Sequence, residues 1–224
     1  AGGEPAQGCY IRAPMPALFG LLALESHRNA CMVIGEDLGT VPEGFRGRME
    51  EARMLGCAVL YFERWDDGSF KSPRDYRRHA AASISTHDLP TLAGYWEGRD
   101  WTVRRRIGVT SDEETAQALA ERRIARERLF AALVAAGVLP PNEGMPAGFD
   151  AMLGDAAHRF LALSAAQLFL AQLDDMLGEL DQVNVPGTTT AYPNWRRRLA
   201  FAVERPEFAD ALRRLADICA AAGR

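Results

Sequence analysis

Three short apolar runs, "CMVI" (31–34), "CAVLYFE" (57–63) and "AAASIST" (80–86), constrain this chain more than any other feature. Each has the length and the small, β-branched or aromatic content of a buried strand. Between the first two lies a helical pattern from Pro42 to Leu55, with Thr40 placed to cap, Pro42 to pre-set φ, Glu43 to reach back and Gly56 to close it. Strand, helix and strand in alternation predict an α/β fold with a parallel sheet and right-handed crossovers. The runs also end on chemistry: the first leads through Gly35 into Glu36-Asp37, the third into His87-Asp88. In parallel α/β folds the carboxyl ends of the strands are where active sites are built.

The remainder reads as helical. Upstream, leucines at 18, 21, 22 and 24 give a helix over 14–29. Ser111 and Glu114 form a capping box ahead of a helix reaching Gly137. After the loop "LPPNEGMPAGF", helices are expected at 148–163 and 164–178. "QVNVPG" (182–187) is short and β-prone, and would be a fourth strand presenting Asn184 at its end. A last helix starts near Pro206 and stops by Gly223.

Charge narrows the function classes. Twenty-six basic and 30 acidic side chains leave a net charge of −4, which argues against a sequence-independent grip on nucleic acid or anionic membrane. The arginine clusters at 104–106, 122–123 and 196–198 read as solvated helix faces. Cys9, Cys31, Cys57 and Cys219 are widely spaced, with no C-x-x-C pair, as expected of reduced, buried thiols in a cytoplasmic protein. Neither they nor the four histidines have metal-ligand spacing, so no metal and no cofactor is expected. No apolar run approaches the roughly 18 residues of a membrane span. A Gly/Pro-rich start without Met suggests a piece of a longer protein.

If the strands are neighbours, Glu36 with Asp37, His87 with Asp88, and Asn184 converge on one rim. Carboxylates gathered at a low-dielectric mouth keep one of them protonated, as a general acid requires. Two carboxyls flanking a scissile bond define glycoside chemistry. Blander readings stand beside this one. Glu36-Asp37 also reads as a solvated turn, Asp88 as a cap, and Asn184 as a turn former. Trp65, Trp96, Trp101 and Trp195 read either as sugar platforms or as packing residues.

Four motifs, "CMVIGEDLGTVPEG", "CAVLYFER", "ASISTHDLPTLAGYWEG" and "QVNVPGTTTAYPNWRRRL", closely resemble, in this order, the carboxyl-terminal half of bacterial 4-α-glucanotransferases, or amylomaltases. "QGCYIRAPMPALFGLLALESHRN" is similar to the segment before their acid/base strand. The resemblance implies the carboxyl-terminal half of a (β/α)8 barrel, about four parallel strands, with a large helical insertion. It divides the chain into strands and helices carrying the acid/base (1–110), a helical insertion (111–180), and a last strand with the terminal helix (181–224). By motif matching Glu36 would be the general acid/base and Asp88 the transition-state stabiliser. Asp37, His87 and Asn184 would contact a maltooligosaccharide or starch glucan.

The family's nucleophile, an Asp in an Arg-x-Asp-His type motif, has no match in this sequence and is expected upstream of Ala1. This polypeptide alone is therefore expected to lack transferase activity. Its missing amino-terminal half or a second copy would be its partner. The rivals are an α-amylase-like hydrolase, a non-catalytic glucan-binding fragment, and an interaction module of Ala-rich helices.

Overall fold

The computed structural model describes residues 8, 9, 11–141 and 144–224. They form two compact units, one ending at Gly56 and one beginning at Cys57. Most of the opening Gly/Pro stretch lies outside the described residues.

In the first unit, α1 (Met15–Arg28) has Pro14 as its N-cap and Pro16 in its first turn, where the N–H that proline lacks would have no partner within the helix. None of its residues is buried; Leu18, Leu21, Leu22 and Leu24 are all substantially exposed. Phe19 meets Phe45 of α2 (Phe45–Glu51) edge to face at 5.6 Å. α2 is shorter than expected and starts elsewhere. Its N-cap is Gly44 in the left-handed region, without a side-chain cap, so neither Thr40 nor Glu43 closes it. It ends at Arg53 (φ 58°), whose N–H bonds Glu50 O while Met54 N–H reaches Met49 O. That is the paired-bond pattern of a Schellman close, and it ends the helix before Gly56 is reached.

The expected strand over 31–34 is reduced to one parallel bridge, Ile34 to Leu55. Gly35 N–H bonds Leu55 O, and Leu55 N–H bonds Val33 O. Met32 and Ile34 remain 55% and 41% exposed, so this is not the buried strand expected.

The second unit holds a three-stranded sheet in the order β1 (Gly56–Val59), β2 (Ala80–Ser83), β3 (Leu168–Leu170), with β2 and β3 parallel. β1 turns after four residues into a single 3-10 turn, Leu60–Phe62. α3 (Leu92–Glu97) and α4 (Arg99–Arg106) follow β2, then α5 (Asp112–Ala135), α6 (Ala151–Ala162), α7 (Leu173–Leu177) and α8 (Pro206–Ala221). α5 carries the expected capping box: Ser111 N–H bonds Glu114 Oε2, and Glu114 N–H bonds Ser111 Oγ. α6 is capped by Asp150. The core is built by Trp96, Phe160, Leu60, Ile84, Leu92, Leu129 and Leu133, all fully buried.

Further expectations are corrected. The segment 164–178 is not one helix, because Ala165 N–H and Gln167 N–H bond Pro73 O and Arg78 O and lead the chain into β3. A short apolar run carries no decisive period, and pairing across the chain decides it. Residues 182–187 make no strand. Val185 N–H goes to Asn194 Oδ1 and Val183 O accepts from Trp195 N–H, so their backbone groups are spent on a loop. The cysteines are free, with Cys9 and Cys31 exposed and Cys57 and Cys219 half-buried rather than buried. No helix among the described residues is long and apolar enough to cross a membrane.

Candidate functional site

In the second unit β2 runs on through buried Ile84 and Ser85 to a turn that exposes His87 and Asp88. Leu89 N–H closes the turn on Thr86 O at 3.1 Å, and Thr86 Oγ1 accepts from Asp88 N–H at 3.3 Å. These bonds fix the backbone at Asp88. Its Oδ1 accepts a 2.6 Å hydrogen bond from Asn184 Nδ2, and its Oδ2 lies 3.5 Å from His87 Nε2. The His87 ring faces Trp195 at 5.2 Å between centroids. Three expected site residues are thus brought together.

Asn184 and Trp195 are held by the loop that replaced the expected strand. Tyr192 Oη donates to Gln182 O at 2.6 Å, and Asn194 Nδ2 donates to both Thr188 O and Thr188 Oγ1. The loop's start is pinned to α4: Asp181 accepts from Arg99 Nε at 2.6 Å and from Arg197 Nη1 at 2.8 Å. Those bonds, Arg99 foremost, hold the Asp181 carboxyl below the usual carboxylate range. Trp195 sits at φ 61°, outside ordinary side-chain territory, and stays 63% exposed. Of the other tryptophans, Trp96 is fully buried and so a packing residue, while Trp65 lies under Lys71 and Trp101 under Arg104.

The turn that bears His87 and Asp88 is anchored at both ends. Asp175 on α7 accepts from Ser85 Oγ at 2.7 Å and from Leu92 N–H at 2.6 Å. Burial pushes its carboxyl up to about 6, against those two hydrogen bonds. Tyr61 Oη donates to Pro90 O, and Thr91 Oγ1 donates to Glu179 O.

In the first unit Glu36 is exposed and Asp37 is buried. Arg46 of α2 donates from Nε to Asp37 Oδ2 at 2.9 Å and from Nη2 to Asp37 O at 3.0 Å. A Cβ at Gly35 would stand 2.7 Å from the Met49 methyl, so the flexible tip of that side chain would have to shift. The expected rim acid at 37 has no exposed side-chain surface. It fixes the turn, and of the two acids Glu36 is the exposed one. Arg46 and Asp175 were not expected here; Trp195 was among the tryptophans read either as sugar platforms or as packing residues.

A family profile described as 4-alpha-glucanotransferase matches residues 2–203. The chain belongs to that family. Among curated 4-alpha-glucanotransferases it is 35% identical to one from Haemophilus influenzae over 202 residues, which is 89% of this chain and 29% of the relative. With one from Mycobacterium bovis the identity is 35% over 199 residues, 87% of this chain and 27% of that protein. The chain thus spans less than a third of the length of these 4-alpha-glucanotransferases. Among solved structures, amylomaltase from Corynebacterium glutamicum superposes with a TM-score of 0.86 at 33% identity, over 97% of this chain and 33% of that one. An amylomaltase from Streptococcus agalactiae, solved with acarbose, shares the fold at a TM-score of 0.63 and 19% identity.

Proposed function

We propose that this chain is the portion of a 4-α-glucanotransferase that supplies the acid/base and the transition-state carboxylate. The observation that carries the reading is the meeting of Asp88, His87 and Asn184 at the end of β2, in a chain of this family. In this reading the sheet of the second unit is part of a (β/α)8 barrel, and the nucleophile comes from sequence upstream.

The chemistry follows in two balanced steps. The upstream carboxylate attacks the anomeric carbon as the glycosidic C–O bond breaks, and Glu36 gives its proton to the leaving oxygen. The acceptor's 4-hydroxyl then attacks the glycosyl ester and returns a proton to Glu36, so configuration is retained. Asp88 stays ionised beside the oxocarbenium-like centre and accepts from sugar hydroxyls, while Asn184 and His87 set its direction. Trp195 beside His87 offers a ring face of the size of a pyranose. Asp37 takes the indirect role of holding the Glu36 turn through Arg46.

The deciding experiment feeds maltotriose to the chain joined to its upstream region. Glucose with larger oligosaccharides supports transfer, and shortening alone supports a hydrolase. This chain by itself is expected to give neither product.

A further inference from the structure

We propose that Asp175 is a positioning residue that sets the His87-Asp88 turn by closing both of its ends with one carboxylate. Its Oδ2 accepts a hydrogen bond from Ser85 Oγ, and its Oδ1 accepts one from Leu92 N–H. Ser85 and Leu92 flank the segment 86–91 that carries His87 and Asp88, so the gap between them is fixed by the span of a single carboxylate. The hydroxyl of Ser85 has one hydrogen to give. Gln172 Nε2 donates to that same oxygen at 2.7 Å, which leaves the hydrogen aimed at Asp175.

Stability alone does not explain an ionisable group here. Asp175 is 2% exposed and its bonds come from two neutral donors. An asparagine of the same shape would avoid the cost of burying a charge. A carboxylate does what one amide cannot: it accepts at both oxygens at once, so both ends of the turn are held by acceptor geometry rather than by one acceptor and one donor. Misplacing a reacting group by about 1 Å costs roughly a hundredfold in rate, which is the scale such a clamp protects.

The inference rests on the reading of Asp88 as the transition-state carboxylate, and the test separates the two. In the chain joined to its upstream region, kcat and KM for maltotriose disproportionation are measured for Asp175→Ala, Asp175→Asn, Ser85→Ala and Asp88→Asn. Asp175→Ala is expected to lower kcat at least about tenfold with KM within about threefold. Asp175→Asn keeps one acceptor for Leu92 but none for the Ser85 hydrogen, so its kcat is expected to lie above that of Asp175→Ala and below wild type. Ser85→Ala, which opens one end only, falls between them. Folded Asp175→Ala with wild-type kcat, beside an inactive Asp88→Asn, overturns the inference and leaves the functional reading standing. Full turnover in Asp88→Asn removes both. Should Asp175→Ala fail to fold, Ser85→Ala decides: a lowered kcat at an unchanged melting temperature supports the clamp, and an unchanged kcat ends it.

Discussion

Asn184 donates to Asp88 across 96 residues of sequence, at 2.6 Å, and joins two of the residues expected to converge on one rim. The bond takes one lone pair of a carboxylate that is half exposed and otherwise free to turn. It acts on orientation more than on stability. Asn184→Ala is therefore expected to lower kcat/KM for maltotriose by about 10- to 100-fold, the worth of a hydrogen bond to a charged group. Its melting temperature should stay within about 2 °C of wild type. A large fall in melting temperature with intact kinetics would make the contact a loop staple.

Asp175 gives a pH signature of opposite sign to the usual carboxylate. Its folded value of about 6 lies above the ordinary 3.8, so between these limits the folded chain holds a proton that the unfolded chain has released. Stability from this group is fully present below about pH 4 and is lost as pH rises through about 6, on the order of 3 kcal/mol in all. The titratable groups around it are Asp174 on α7, whose charge pushes the Asp175 carboxyl up, and Tyr61 after β1, which the Asp175 charge pushes up in turn, with His158, Asp155 and Arg214 lining the adjoining cavity. Asp175→Asn should therefore gain stability relative to wild type as pH goes from 4.5 to 7, read from urea midpoints. A difference that does not change with pH would place the charge elsewhere.

Gly94 permits the closest approach between α3 and the chain leading into the Asn184 loop. A Cβ there would stand within van der Waals overlap of the Leu180 carbonyl oxygen and 3.0 Å from Thr91 Oγ1. Backbone cannot swing aside as a side-chain tip does. Gly94→Ala is expected to cost about 2–4 kcal/mol despite the better helix propensity of alanine. Thermal unfolding of the variant checks it, and a stabilised protein would show that the two segments part freely.

What the sequence made legible was local. The Ser111–Glu114 box, the helices at 151–162 and 206–221, and the apolar run into His87-Asp88 are all set by neighbours a few residues away. What it hid depends on distant partners. Leu168–Leu170 is a strand because β2 lies beside it, and 182–187 is a loop because Asn194 and Trp195 take its backbone groups. Asp37 looked like a rim acid until Arg46 covered it. For the site, residue types at the strand end were readable, and their hydrogen-bond partners were not.

Arg122 and Asp100 illustrate a charge pair that stability depends on. Arg122 forks onto both Asp100 oxygens at 3.1 and 2.9 Å, donates to Tyr95 O, and lies 3.8 Å over the Tyr95 ring, which stacks on Tyr61. Both side chains are nearly buried, at 11% and 6% exposure. Removing one strands the other without solvent, so Arg122→Leu should cost about 3–5 kcal/mol. Arg105 with Asp112 is as short a pair but largely exposed, and Asp112→Ala should leave the urea midpoint unchanged. Equal effects from the two would contradict burial as the cause.

Glu36→Gln tests the proton itself. The side chain is exposed on a turn that Gly35 and the Asp37–Arg46 pair hold, so an amide of the same shape should leave that turn intact. Glucan affinity should survive while turnover by the chain joined to its upstream region falls by about 100-fold or more, because the amide cannot donate and retrieve a proton. Better leaving groups need less protonation. A maltosyl fluoride donor should therefore still glycosylate the variant, with transfer stalling at the step where the acceptor hydroxyl must lose its proton. Turnover of maltotriose at the wild-type rate would take Glu36 out of the reaction.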